Sequence, residues 1–81
     1  MNKKTSQRIH AQRRARQRYG ITLSNNDYRR LCNKIRYGDS TFIKRQSNTR
    51  TIHDLVYKGI IMRAVYNSEK KNKGIVTFLH I

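Results

Sequence analysis

Apolar positions recur along this chain with two different periods. The first half follows a helical spacing and the second half alternates. From about Gln7 to Tyr19 the apolar stripe is thin, with Ala11, Ala15 and Tyr19 at i, i+4 and i+8 and Ile9 to one side. Gly20 then supplies the left-handed stop that ends a helix. The first six residues look like a frayed basic arm. A second helix is better specified. Ser24 is an N-cap residue, and Asp27 three residues later makes a capping box. Tyr28, Leu31, Cys32 and Ile35 fall at i, i+3, i+4 and i+7 on one face, and Gly38 follows.

After Gly38 the pattern becomes strand-like. Thr41–Lys44 is short and half apolar. Thr51–Tyr57 and Ile60–Tyr66 flank Lys58-Gly59, a two-residue hairpin turn. Ile75–Ile81 is rich in β-branched and aromatic residues, and the basic loop Asn67–Gly74 leads into it. Pairing Tyr57 with Ile60 sets Asp54 opposite Arg63, His53 opposite Ala64 and Thr51 opposite Tyr66. The opposite-charge pair supports that register. The expected fold is α+β, with two N-terminal helices packed on a three- to four-stranded antiparallel sheet in a single domain spanning 1–81. Tyr28, Tyr37, Tyr57 and Phe78 are expected in the core.

Charge narrows the function. The 81 residues include 19 Lys and Arg against 4 Asp and Glu, a formal net charge of +15. Each base that reaches a phosphate releases condensed counterions, so such a chain binds polyanions on almost any fold. Residues 1–20 carry seven bases (Lys3, Lys4, Arg8, Arg13, Arg14, Arg16 and Arg18) and no acid. A solvated basic arm is the bland account, but a helix without acidic partners repels itself unless an anion covers it. The chain has no apolar run able to span a bilayer and no signal-peptide core after Met1, so a cytoplasmic location is expected. A single cysteine, Cys32, excludes an internal disulfide, fits a reducing compartment and reads as a small buried hydrophobe.

Several chemistries lack their residues. Four scattered acids do not build a two-metal nuclease site, and no phosphate-binding glycine loop, nucleophile elbow or HExxH motif is present. His10, His53 and His80 have no metal-ligand spacing, so no metal or cofactor is expected. Metal-free RNA cleavage stays open. It needs a group to polarise the ribose 2′-hydroxyl, cations for the phosphorane charge and an acid for the leaving oxygen. The densest suitable stretch runs from Lys44 through Arg45 to Arg50, with His53 on the next strand and Arg63, Tyr66 and His80 on strands beside it. The candidate catalytic residues are therefore Arg45, Arg50, His53, Arg63 and Tyr66. Candidate nucleic-acid contacts are Arg8, Arg13, Arg14, Arg16, Arg18, Lys44, Lys70, Lys71 and Lys73. The plain alternatives are a hairpin connection that grips phosphates, an Arg63 that only pairs with Asp54, and a hydrogen-bonded strand histidine.

The segments FIKRQSNTRTIHDLVYKG (42–59), IIMRAVYNSEKK (60–71) and GIVTFLH (74–80), behind two helices, resemble small phage and mobile-element proteins. More distantly they resemble the RelE-type toxins of the barnase/colicin ribonuclease-like group. That resemblance implies basic and aromatic side chains on the sheet that cut RNA, and it points to Arg45, Arg50, Arg63 and Tyr66. Other readings stay open beside it. The chain suits a non-catalytic inhibitor of anti-defence or anti-CRISPR type that binds an RNA or a ribonucleoprotein. It also suits a ribosome-associated basic protein, or a DNA-binding helix-turn-helix across Gly20–Leu23. RNA is favoured as partner, and an acidic protein partner would be natural for so basic a chain. An exposed tyrosine would favour single-stranded RNA, because its ring stacks on unpaired bases.

Overall fold

The first helix starts earlier than its apolar stripe. In the computed structural model, which describes residues 2–81, α1 spans Lys3–Tyr19. Asn2 is its N-cap, its side chain accepting the Thr5 amide at 2.8 Å. Of the basic arm expected over residues 1–6, Met1 lies outside the described residues and Lys3–Ser6 are helical. The cap explains the extra turn, and Lys3 adds an ion pair to Glu69 at 3.1 Å. Gly20 closes the helix at φ +69°, its amide bonding the Arg16 carbonyl.

The second helix, α2 (Asn25–Arg36), forms as its signals predict. Ser24 and Asp27 complete a reciprocal capping box at 3.0 and 3.1 Å. Tyr28, Leu31, Cys32 and Ile35 are buried. Four strands follow: β1 (Thr41–Arg45), β2 (Arg50–Tyr57), β3 (Ile60–Asn67) and β4 (Gly74–Leu79). They form one antiparallel meander in chain order. The β2–β3 register is the expected one, with Tyr57 opposite Ile60, Asp54 opposite Arg63, His53 opposite Ala64 and Thr51 opposite Tyr66. Lys58 and Gly59 both take positive φ, 51° and 77°, as a tight hairpin with the strand twist requires.

Both helices cover one face of the sheet. That face carries Leu55, Tyr57, Met62, Ala64, Tyr66, Ile75 and Phe78, which join Ala11, Ala15, Leu23 and the apolar stripe of α2 in a single core cluster. The small Ala11 and Ala15 let α1 lie close to β4. Gln7 extends this stripe one turn earlier and is buried too. Its amide donates to the Asn72 carbonyl at 3.0 Å and its oxygen accepts from Asn67 at 3.2 Å. A polar residue in that position is stable because both ends are hydrogen-bonded. Tyr28 donates to the Ile75 carbonyl at 2.7 Å, and a Cβ at Gly74 would stand 2.7 Å from the Tyr28 hydroxyl. Glycine is therefore required where β4 begins.

The helices stop short of β1, whose five residues are all exposed. One aromatic departs from expectation. Tyr37 follows the last turn of α2 and is 77% exposed instead of lying in the core. It is the C-cap residue, so the helical stripe that buries Tyr28 and Ile35 has ended there. No helix is long and apolar enough to cross a membrane among the described residues.

Candidate nucleic-acid interface

The alternation of β2 and β3 divides the suspected catalytic residues between two faces. His53 and Tyr66 lie on the helix-covered face with Leu55 and Met62. Arg63 lies on the opposite face. There it makes a two-pronged pair with Asp54, Nε to Oδ1 at 2.8 Å and Nη2 to Oδ2 at 3.0 Å, and this partner raises its pKa further. Arg63 is thus committed to the cross-strand pair, which was the plain alternative. Arg50 is exposed at the base of the β1–β2 hairpin, where its amide bonds the Ser47 hydroxyl at 3.2 Å. Arg45 reaches the Asn48 carbonyl within the same hairpin. The five candidates therefore do not converge on one reacting centre.

His53 is engaged on both ring nitrogens. Nδ1 lies 3.2 Å from the Ser40 hydroxyl and Nε2 lies 2.8 Å from the Thr51 hydroxyl. One hydroxyl can donate and the other accept, which suits a neutral imidazole. Burial also pushes its pKa below the ordinary value of 6.5. The ring contacts Phe42 on one side and Tyr66 on the other, edge-to-face at 5.6 and 6.5 Å. These contacts make His53 a packing and hydrogen-bonding residue. A pH effect on stability follows. The native state holds fewer protons on His53 than the unfolded chain below about pH 6.5, so stability falls as the pH drops through that window. Urea midpoints at about pH 7.5 and pH 5.5 should differ more in the wild type than in His53→Phe. Equal differences would remove His53 as the cause.

Two concave regions gather cations. The first lies on the outer sheet face, a cleft of about 380 Å³ with an aliphatic floor of Ile43, Ile52 and Leu79 and with Lys44, Arg45, Arg63 and His80 around it. The second is a groove of about 370 Å³ between the first half of α1 and the exposed side of α2. Lys4, Arg8, Arg29, Arg36 and Lys73 line it, together with Asn2, Asn25 and Asn33, and no acidic residue does. Cys32 and Tyr28 form its floor, where burial raises the pKa of the Cys32 thiol. The Arg8 Nε is buried without a hydrogen-bond acceptor among the described residues, as is the Arg18 Nε farther along α1, outside the groove. The N-terminal ends of both helices line the groove, through Asn2, Lys4 and Thr5 of the first and Asn25 of the second.

Of the expected nucleic-acid contacts, Arg8 and Lys73 enter the groove. Lys44 sits on the outer cleft, and Lys70 and Lys71 are exposed on the β3–β4 loop. Arg13 and Arg16 face solvent along α1, while Arg14 and Arg18 are half-buried. Sequence reasoning missed Lys4, Arg29 and Arg36. A signal for two of them exists: Arg29, Asn33 and Arg36 recur at i, i+4 and i+7, one place after the apolar Tyr28, Cys32 and Ile35. That stripe must flank the buried face of α2. The groove is also joined to the sheet, because the Ile75 amide of β4 bonds the Cys32 Sγ in its lining at 3.4 Å. No protein-family model, curated protein or solved structure matches this chain.

Proposed function

We propose that this protein binds nucleic acid, with RNA as the favoured partner, and that it holds the phosphodiester backbone in the α1–α2 groove. The observation that carries this reading is a charge imbalance with a location. Three of the nineteen Lys and Arg residues, Lys3, Lys34 and Arg63, have a carboxylate partner, which leaves sixteen without one among the described residues. Five of the sixteen surround one acid-free groove. Bringing them together costs repulsion, and a polyanion reverses the sign of that cost.

Binding without cleavage has the better support. A ribonuclease needs a free base and a free acid on opposite sides of a phosphate. His53 has both nitrogens occupied, Arg63 is held by Asp54, and the two lie on opposite faces. A helix-turn-helix reading has less support still. The apolar face of α2 is spent on the sheet, and five of the eight helical arginines sit on the helix before it, not on a projecting recognition helix.

The test is fluorescence anisotropy with a 5′-labelled RNA strand in EDTA across about 50 to 200 mM salt. The logarithm of affinity should fall linearly with the logarithm of salt concentration, and a denaturing gel of the same samples should show intact RNA. Absence of binding at the lowest salt, or affinity indifferent to salt, would refute the proposal. Discrete cleavage products would restore the ribonuclease reading.

A further inference from the structure

Resting on that reading, we infer that the exposed ring of Phe42 is a stacking platform for an unpaired base, so that the bound form is a single strand with its phosphates in the α1–α2 groove. Phe42 is 58% exposed on β1, beyond the edge of the helices. Its position is nevertheless fixed. The residue pairs with His53 across β1–β2, and the two rings meet edge-to-face at 5.6 Å and 75°. His53 is in turn held by two hydroxyls and by the buried Tyr66 ring at 6.5 Å and 85°. Phe42 therefore has one side set against the His53 ring and another side open to solvent.

These aromatic contacts connect to the groove through β4. Tyr66 pairs with Ile75, whose amide bonds the Cys32 Sγ at 3.4 Å, and Cys32 lines the groove. Tyr37, 77% exposed, is the C-cap residue that directly follows Arg36, and Arg36 lines the groove. Aromatic surface thus stands at the end of a phosphate-binding groove, the arrangement in which a backbone is gripped by cations while its bases stack. A duplex keeps the faces of its bases covered by their neighbours, so only an unpaired base can use the ring. A second copy of this chain is a poor occupant, because each copy carries +15 and Lys44 and Arg45 follow Phe42 on the same exposed strand. The acid closest in sequence, Asp39, is already paired with Lys34 at 3.1 Å.

Three probes separate the possibilities: a short labelled RNA single strand, the same strand annealed to its complement, and a strand of equal length with abasic sites. Phe42→Ala should weaken binding of the intact single strand about tenfold or more, the value of one stacked base. Binding of the duplex and of the abasic strand should not change, nor should the salt slope. Phe42→Trp should restore the single-strand affinity. An unchanged single-strand affinity in Phe42→Ala would overturn the platform while leaving the groove reading intact, and it would give the ring to a protein partner. An equal loss on the abasic strand would overturn it as well, since the effect would then not involve a base. Failure of the wild-type protein to bind any of the three would overturn the nucleic-acid reading itself.

Discussion

Replacing Phe78 with alanine is expected to destabilise the fold by about 3–5 kcal/mol, the range for deleting a buried phenyl ring. Phe78 is fully buried on β4 and belongs to the one cluster that joins both helices to the sheet. Its ring meets Tyr19 edge-on at 6.5 Å and 84°. The residue opposite it on β3 is Ala64, and the buried face of α1 in the same cluster offers Ala11 and Ala15. None of these is large enough to fill the space a phenyl ring vacates, so the cavity would persist. A small domain holds only about 5–15 kcal/mol in total, which makes this loss a large fraction. Thermal unfolding followed by circular dichroism should show the midpoint fall by more than about 12 °C. Phe78→Leu should lose much less. A drop of only a few degrees in Phe78→Ala would mean that the core collapses around the site and that α1 is not anchored through this ring.

The largest effect on binding is expected from the groove. Changing Lys4, Arg8, Arg29, Arg36 and Lys73 together to glutamine removes five cations that surround one acid-free surface. On a single strand each phosphate contact contributes about 0.7 to the salt slope, so the slope should become shallower by about 3.5. Over about 50 to 200 mM salt, those five contacts correspond to roughly a hundredfold of affinity. The fold should survive, because like charges are being removed and the apolar faces of both helices are untouched. The control is a second variant in which Arg13, Arg14, Arg16 and Arg18 are changed to glutamine. These residues looked most important along the sequence, since they form the densest run of bases. They do not line either cleft. Their loss should reduce affinity less than loss of the groove set. The reverse order would move the backbone site from the groove to the outer side of α1.

Much of the secondary structure was decided close to each residue. The Ser24–Asp27 capping box, the left-handed Gly20 and the Lys58-Gly59 turn act within a few positions of themselves. The hairpin register followed from the turn, because adjacency leaves a strand no other partner, and Asp54 opposite Arg63 was legible for that reason. The positive charge needed only a count. Elsewhere the local signal was weak. Gln7 looks like one more polar residue of a basic helix, and its burial depends on Asn67 and Asn72, sixty positions or more away.

The sequence by itself therefore determined the elements, their order, the β2–β3 pairing and the excess of positive charge. Only the tertiary structure decided which face of the sheet the helices cover. Both faces carry apolar residues, with Ile52, Val56, Ile61 and Val65 on the outer one, so alternation alone does not choose. That choice turns His53 inward and Arg63 outward and separates residues that stand close together along the strands. Tertiary structure likewise placed Lys4 and Arg8 of α1 against Arg29 and Arg36 of α2 and Lys73 of the last loop. The physical reason is range. Caps and turns are settled by bonds between near neighbours, whereas a groove exists only after the small residues of α1 have docked on β4 and set the distance between the two helices.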